Sequence, residues 1–160
     1  MTASWTRTNV TATGNVVAGP YAGSYGDLIT ESTDGANVAH EVLRSSVMDF
    51  DGSSDYLLRI VAKRINRNLN VFFPAAQFSG TPQVTFDLET GVPTIVAGTP
   101  TVAMADLGNG WWLASAQATS TGSGTNVSVR AFRLHNGTAA SYTGDGSDAV
   151  YIAAVGLHVV

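Results

Sequence analysis

Asp55-Tyr56-Leu57-Leu58-Arg59-Ile60-Val61-Ala62-Lys63-Arg64 is the stretch that decides the fold. Read with a period of two, Tyr56, Leu58, Ile60 and Ala62 fall on one face, and Leu57, Arg59, Val61 and Lys63 on the other. Successive side chains of an extended chain point to opposite sides, so this run is a strand with one apolar face and one face that carries cations. No apolar repeat of period 3.6 persists here or elsewhere, and Thr, Val and Gly dominate, which argues against helices.

Outward from this run the same alternation returns. Leu69, Val71 and Phe73 alternate with Asn70 and Phe72, and Val84, Phe86 and Leu88 with Thr85 and Asp87. Val127, Val129 and Ala131 alternate with Asn126, Ser128, Arg130 and Phe132. Further strands are expected at Val10–Thr13, Asp27–Thr30, Val38–Val47, Pro93–Ala97, Thr101–Asp106 and Trp111–Thr119. The last run, Ala149–Val160, is apolar on both faces and should lie inside a sheet. Asp34-Gly35, Asp51-Gly52, Gly108-Asn109-Gly110, Asn136-Gly137 and Gly144-Asp145-Gly146 supply the tight turns. Short strands and turns at regular spacing indicate an all-β fold, a two-sheet antiparallel β-sandwich. The expected core is Trp5, Tyr56, Leu58, Ile60, Val71, Phe86, Leu88, Trp111, Val127, Val129, Val155 and Leu157.

The 160 residues read as a single domain over 1–160, large enough for a hydrophobic core, with 44% apolar and 12% charged residues. There is no cysteine, which excludes disulfides and thiolate chemistry. The net charge of −4 argues against a nucleic-acid partner. No apolar run of 18 residues is present, so no membrane partner is expected. The N-terminal residues lack the profile of a signal peptide, which implies synthesis in a host cytoplasm.

Catalytic chemistry is hard to find. His40, His135 and His158 are scattered, with no carboxylate or serine at a catalytic spacing, and an enzyme is not expected. Asp49, Asp51 and Asp55 have the acid spacing of the first half of a calcium loop but lack its closing glutamate. Turn chemistry explains the loop without metal, so no cofactor is assigned, with a structural calcium kept as the alternative. Gly144-Asp145-Gly146-Ser147-Asp148 has the same two readings. Arg59, Lys63, Arg64 and Arg67 form a basic run, either a solvated strand end or a patch for acidic sugars. Phe72, Trp112, Tyr21, Tyr25 and Tyr142 are the aromatics with the shape to stack on a sugar ring.

The order of several segments is distinctive. Trp5-Thr6-Arg7-Thr8-Asn9-Val10, Leu28-Ile29-Thr30-Glu31 and Val61-Ala62-Lys63 come first. Thr85-Phe86-Asp87-Leu88-Glu89-Thr90-Gly91, Leu107-Gly108-Asn109-Gly110-Trp111-Trp112 and Tyr142-Thr143-Gly144-Asp145-Gly146 follow. This series resembles the jelly-roll, carbohydrate-binding-module-like domains of phage tail fibres, tailspikes and head fibres, and the head spikes of gene-transfer particles. The chain departs from that family in starting almost at Trp5 and in carrying Trp112 where tyrosine is usual. The resemblance implies a non-enzymatic jelly-roll module on a virion surface that binds host surface or capsular polysaccharide. Its alternative is a purely structural capsid decoration or head-fibre subunit. The residues expected to hold the glycan are Arg59, Lys63, Asn70, Phe72, Trp112, Asn126 and Arg130, on the outer face of one sheet. Other virion proteins, or further copies of the chain in a homo-oligomer with a trimer favoured, are the expected partners of the edge around Thr6–Thr13.

Overall fold

The structure, a computed structural model, describes residues 5–34, 36–44, 48–126 and 130–160. Among these residues there is no helix. The strands, in chain order, are β1 Trp5–Thr8, β2 Val10–Ala18, β3 Tyr25–Glu31, β4 Val38–Ala39, β5 Glu41–Arg44, β6 Met48–Asp51, β7 Asp55–Arg64 and β8 Asn68–Phe72. They continue with β9 Gln83–Asp87, β10 Val92–Ala97, β11 Thr101–Gly108, β12 Trp111–Thr119, β13 Ser123–Asn126, β14 Arg130–His135, β15 Ser141–Tyr142 and β16 Ala149–Val159.

Two six-stranded sheets face one another, the first in the order β1-β5-β14-β8-β9-β10 and the second β11-β12-β7-β16-β3-β2. Every pairing within them is antiparallel. The chain passes repeatedly between sheets, so that β5-β14-β8-β9 stand opposite β3-β16-β7-β12. This is the jelly-roll arrangement of a β-sandwich. β7 and β12 have the bounds their alternation gives, and β16 lies between β7 and β3 as its two apolar faces require. The run from Val38 breaks at His40, because β4 pairs with β15 while β5 pairs with β1 and β14.

Apolar residues of both inner faces form the core. Tyr56, Leu58, Ile60, Val71, Phe86 and Leu88 are buried in it, and Trp5, Val155 and Leu157 pack against it half-buried. Val127 and Val129 lie outside the described residues. Phe132 corrects the expected face of its run. The register of β14 on β5 shifts between Arg130 and Phe132, which reverses the alternation and places Phe132 fully inside.

The two tryptophans correct the sequence reading as a pair. Trp112 is opposite Ala62, on the inner parity of Ala114 and Ala116, and packs against the core rather than outward. Its ring lies over Gly91, where an added Cβ would come within 2.2 Å of it. Trp111 is buried at 2% exposure, but on the outer side of the second sheet, opposite Lys63 and over Gly26. The core-facing tryptophan and the outward one are exchanged.

Candidate functional site

The residues expected to share one face are divided between opposite sides of the sandwich. Arg59 and Lys63, on β7, belong to the outer face of the second sheet, whereas Asn70 and Phe72, on β8, belong to the outer face of the first. Trp112 points inward. Asn126 and Arg130 end β13 and begin β14, and their side chains lie outside the described part of the structure.

On the first sheet the outer side chains are occupied with one another. Asn70 is buried at 1% exposure, which corrects its place in the exposed set. Its amide donates to the Val84 carbonyl at 3.3 Å and the Thr85 hydroxyl at 3.0 Å, and its carbonyl accepts from Gln83 at 3.0 Å. Arg133, beside Asn70 on β14, donates to Glu41 at 2.7 Å and lays its guanidinium 4.7 Å over the Phe72 ring. One face of the Phe72 ring is therefore covered by a cation. Arg133 was not among the expected residues; its parity with Asn70 across the strand pair carries the relation, and pairing is a tertiary fact.

A second network closes one end of the sandwich. Glu31, buried at 1% exposure at the end of β3, accepts two hydrogen bonds from Arg67 at 2.9 and 3.1 Å. Arg67 also pairs with Asp148 and sits 4.9 Å over Tyr142. Glu31, Asp145 and Asp148 place carboxylate oxygens within 4.8 Å of one another, the spacing of a metal cluster. The guanidinium of Arg67 already provides the cation for Glu31 and Asp148, and Asp145 caps the backbone N–H groups of Ser147 and Asp148. Arg67 thus holds two of the three carboxylates together without a metal ion. Asp49, Asp51 and Asp55 do not converge. Asp51 accepts from Ser53 and Ser54 as a turn cap, while Asp55 accepts from Gln117 and Thr119 across the sheet.

His40 corrects the view that no histidine meets a carboxylate. Its Nε2 lies 2.7 Å from Asp34 Oδ2, and its ring stacks on Tyr142 at 4.5 Å. The ring is fully buried, so the pair fastens the strand crossing at His40 and presents nothing to a substrate.

The outer face of the second sheet is different. A shallow groove of about 370 Å³ crosses β12, β7 and β16. Val61, Leu113, Ala154 and Gly156 form its floor, and Arg59, His158 and Tyr21 rise around it. In register, Arg59 stands between Ser115 and Gly156, and the His158 ring lies over Gly156, where an added Cβ would come within 2.6 Å of it. Tyr21, 54% exposed, comes from the turn between β2 and β3. That turn is tied by Gly19 N–H to the Ser24 carbonyl and by reciprocal bonds between Ser24 and Tyr21, so the ring is presented on a fixed backbone.

No carboxylate lines the groove, and Arg59 has no ion-pair or hydrogen-bond partner among the described residues. The basic run thus separates by function. Arg64 is held by Glu89 at 3.0 Å and Arg67 by Glu31 and Asp148, while Arg59 remains open at the groove. Lys63 lies on the same outer face, with its stem against Gly110. Tyr21 was one of several aromatics considered. His158 was not among the expected site residues; Val155 and Leu157 point inward as expected, and past a bulge between Ile152 and Ala154 the residues Ala154, Gly156 and His158 turn outward. Comparison with protein-family models and with curated proteins finds no match.

Proposed function

We propose that the chain is a non-enzymatic glycan-binding module of a virion surface, a fibre or spike domain of a phage or gene-transfer particle that attaches to host surface polysaccharide. The observation that carries this reading is the open groove on the second sheet, with an exposed tyrosine on a fixed turn and an arginine unpaired among the described residues over an apolar floor. An aromatic face and a few convergent polar groups over a shallow apolar floor suit the C–H faces and hydroxyls of a sugar. A site this shallow binds weakly in one copy, and many copies on a particle multiply the effect. The test is retention of the purified protein, immobilised at high density, on host polysaccharide. Tyr21→Ala is expected to abolish retention without changing the melting temperature.

A second reading, a structural decoration or head-fibre subunit, draws on the edges. β10 ends the first sheet with Val92, Ile95 and Val96 exposed, and β1 and β2 end the two sheets on the other side. Open apolar edges suit docking onto another virion protein or a further copy of the chain. Loss of the protein from purified particles after removal of residues 1–10 would support the N-terminal edge as that contact.

A further inference from the structure

We propose that the groove takes an anionic sugar, seated with its ring on Tyr21 and its carboxylate on Arg59. The inference rests on the glycan reading above and narrows the ligand within it. Charge is the first argument. The chain carries twelve acidic and eight basic residues, yet no acid among the described residues lines the groove. Arg64, Arg67 and Arg133 each have a carboxylate partner, and Arg59, standing in the groove, has none among the described residues.

Geometry is the second argument. A guanidinium presents paired N–H donors in a plane that matches a carboxylate, a shape that a hydroxyl uses only in part. Ser115 and Gly156 flank Arg59 in register, and the lack of a side chain at Gly156 lets the His158 ring lie over it on the groove side. The exposed guanidinium loses little hydration until a ligand arrives, so the pairing energy goes to binding rather than to folding. His158 adds further N–H donor capacity at the same groove, and Lys63 adds a positive charge farther along the same face.

The experiment uses the intact protein immobilised at high density and a panel of purified acidic and neutral bacterial capsular polysaccharides. Each bound polysaccharide is then tested after chemical reduction of its carboxylates to alcohols. Binding is expected only to acidic members and should vanish on reduction. Arg59→Gln should weaken it about tenfold or more, with Arg59→Lys between the two and both variants melting as the native protein does. Equal binding of neutral polysaccharides, or binding that survives reduction, would overturn the anionic ligand and leave the glycan reading standing. Binding to no polysaccharide at all would overturn both. Equal retention of oligothymidylate or of phosphatidylserine vesicles would show a general attraction to polyanions and overturn the sugar-specific claim.

Discussion

The two outer faces of the sandwich are built from the same kinds of residue and end in opposite states. On the first sheet, Glu41, Arg133, Phe72, Asn70, Gln83 and Thr85 satisfy one another through ion pair, cation–π contact and amide ladder. On the second, Arg59 and Tyr21 flank an open groove, and Arg59 has no partner among the described residues. An arginine whose donors are met inside the molecule is part of the architecture. One left facing a recess is available to a ligand. The distinction follows from neighbours, because Arg133 stands beside Asn70 and Glu41, whereas Arg59 stands beside Ser115 and Gly156.

The comparison can be broken most directly at the half-buried Arg67. Arg67→Met removes the cation from Glu31 and Asp148 and should cost about 3–5 kcal/mol in chemical denaturation. A cost below about 1 kcal/mol would mean that this network is not structural. A chelator should leave the melting temperature of the native protein unchanged, since Arg67 already meets these carboxylates. A large core substitution gives the scale, with Phe86→Ala expected to cost about 3–5 kcal/mol.

Gly91→Ala is expected to destabilise by several degrees. Its φ is +73°, and the new methyl group would collide with the Trp112 ring. Gly108→Ala, also at positive φ but with open space around it, separates the backbone term from the collision and should cost less.

The two faces then predict a reciprocal pair of smaller effects. Arg133→Ala should lower stability by about 1–3 kcal/mol and leave glycan retention intact. Arg59→Ala should change stability by no more than about 0.5 kcal/mol and reduce retention. The reverse pattern would exchange the roles of the two faces.

Acid sharpens the account of the turns. Hydrogen bonds from the Ser147 backbone and hydroxyl lower Asp145 to about 2, and those from the Ser54 hydroxyl and the Ser53 and Ser54 backbone hold Asp51 well below the usual range. A depressed carboxylate stabilises the fold above its unfolded pKa, and that contribution disappears as pH falls through the folded value. Stability should therefore decline from about pH 4 toward pH 2, with Asp145→Asn flattening the decline. His135, lowered from 6.5 by burial, favours the folded state in its neutral form and adds a smaller loss as pH falls below 6.5.

Alternation and turn residues were enough to read the sandwich. β7 and β12 needed nothing beyond their own side chains, since a period of two is a local property of an extended chain. The inward Trp112 was also legible, because Ser115 and Gln117 mark the outer parity and Ala114 and Ala116 the inner one.

What the sequence by itself determined is the class of fold and the parity along each unbroken strand. Which parities share a face was decided only by the tertiary structure. Sheet order placed Arg59 and Phe72 on opposite sides, and bulges at Ala153 and before Phe132 reversed parity within a single run. The groove depends on both events, since its walls come from β7, the bulged β16 and a turn distant in sequence. Alternation is written residue by residue, whereas pairing and register are set by the whole core, and a site between strands belongs to the second kind of information.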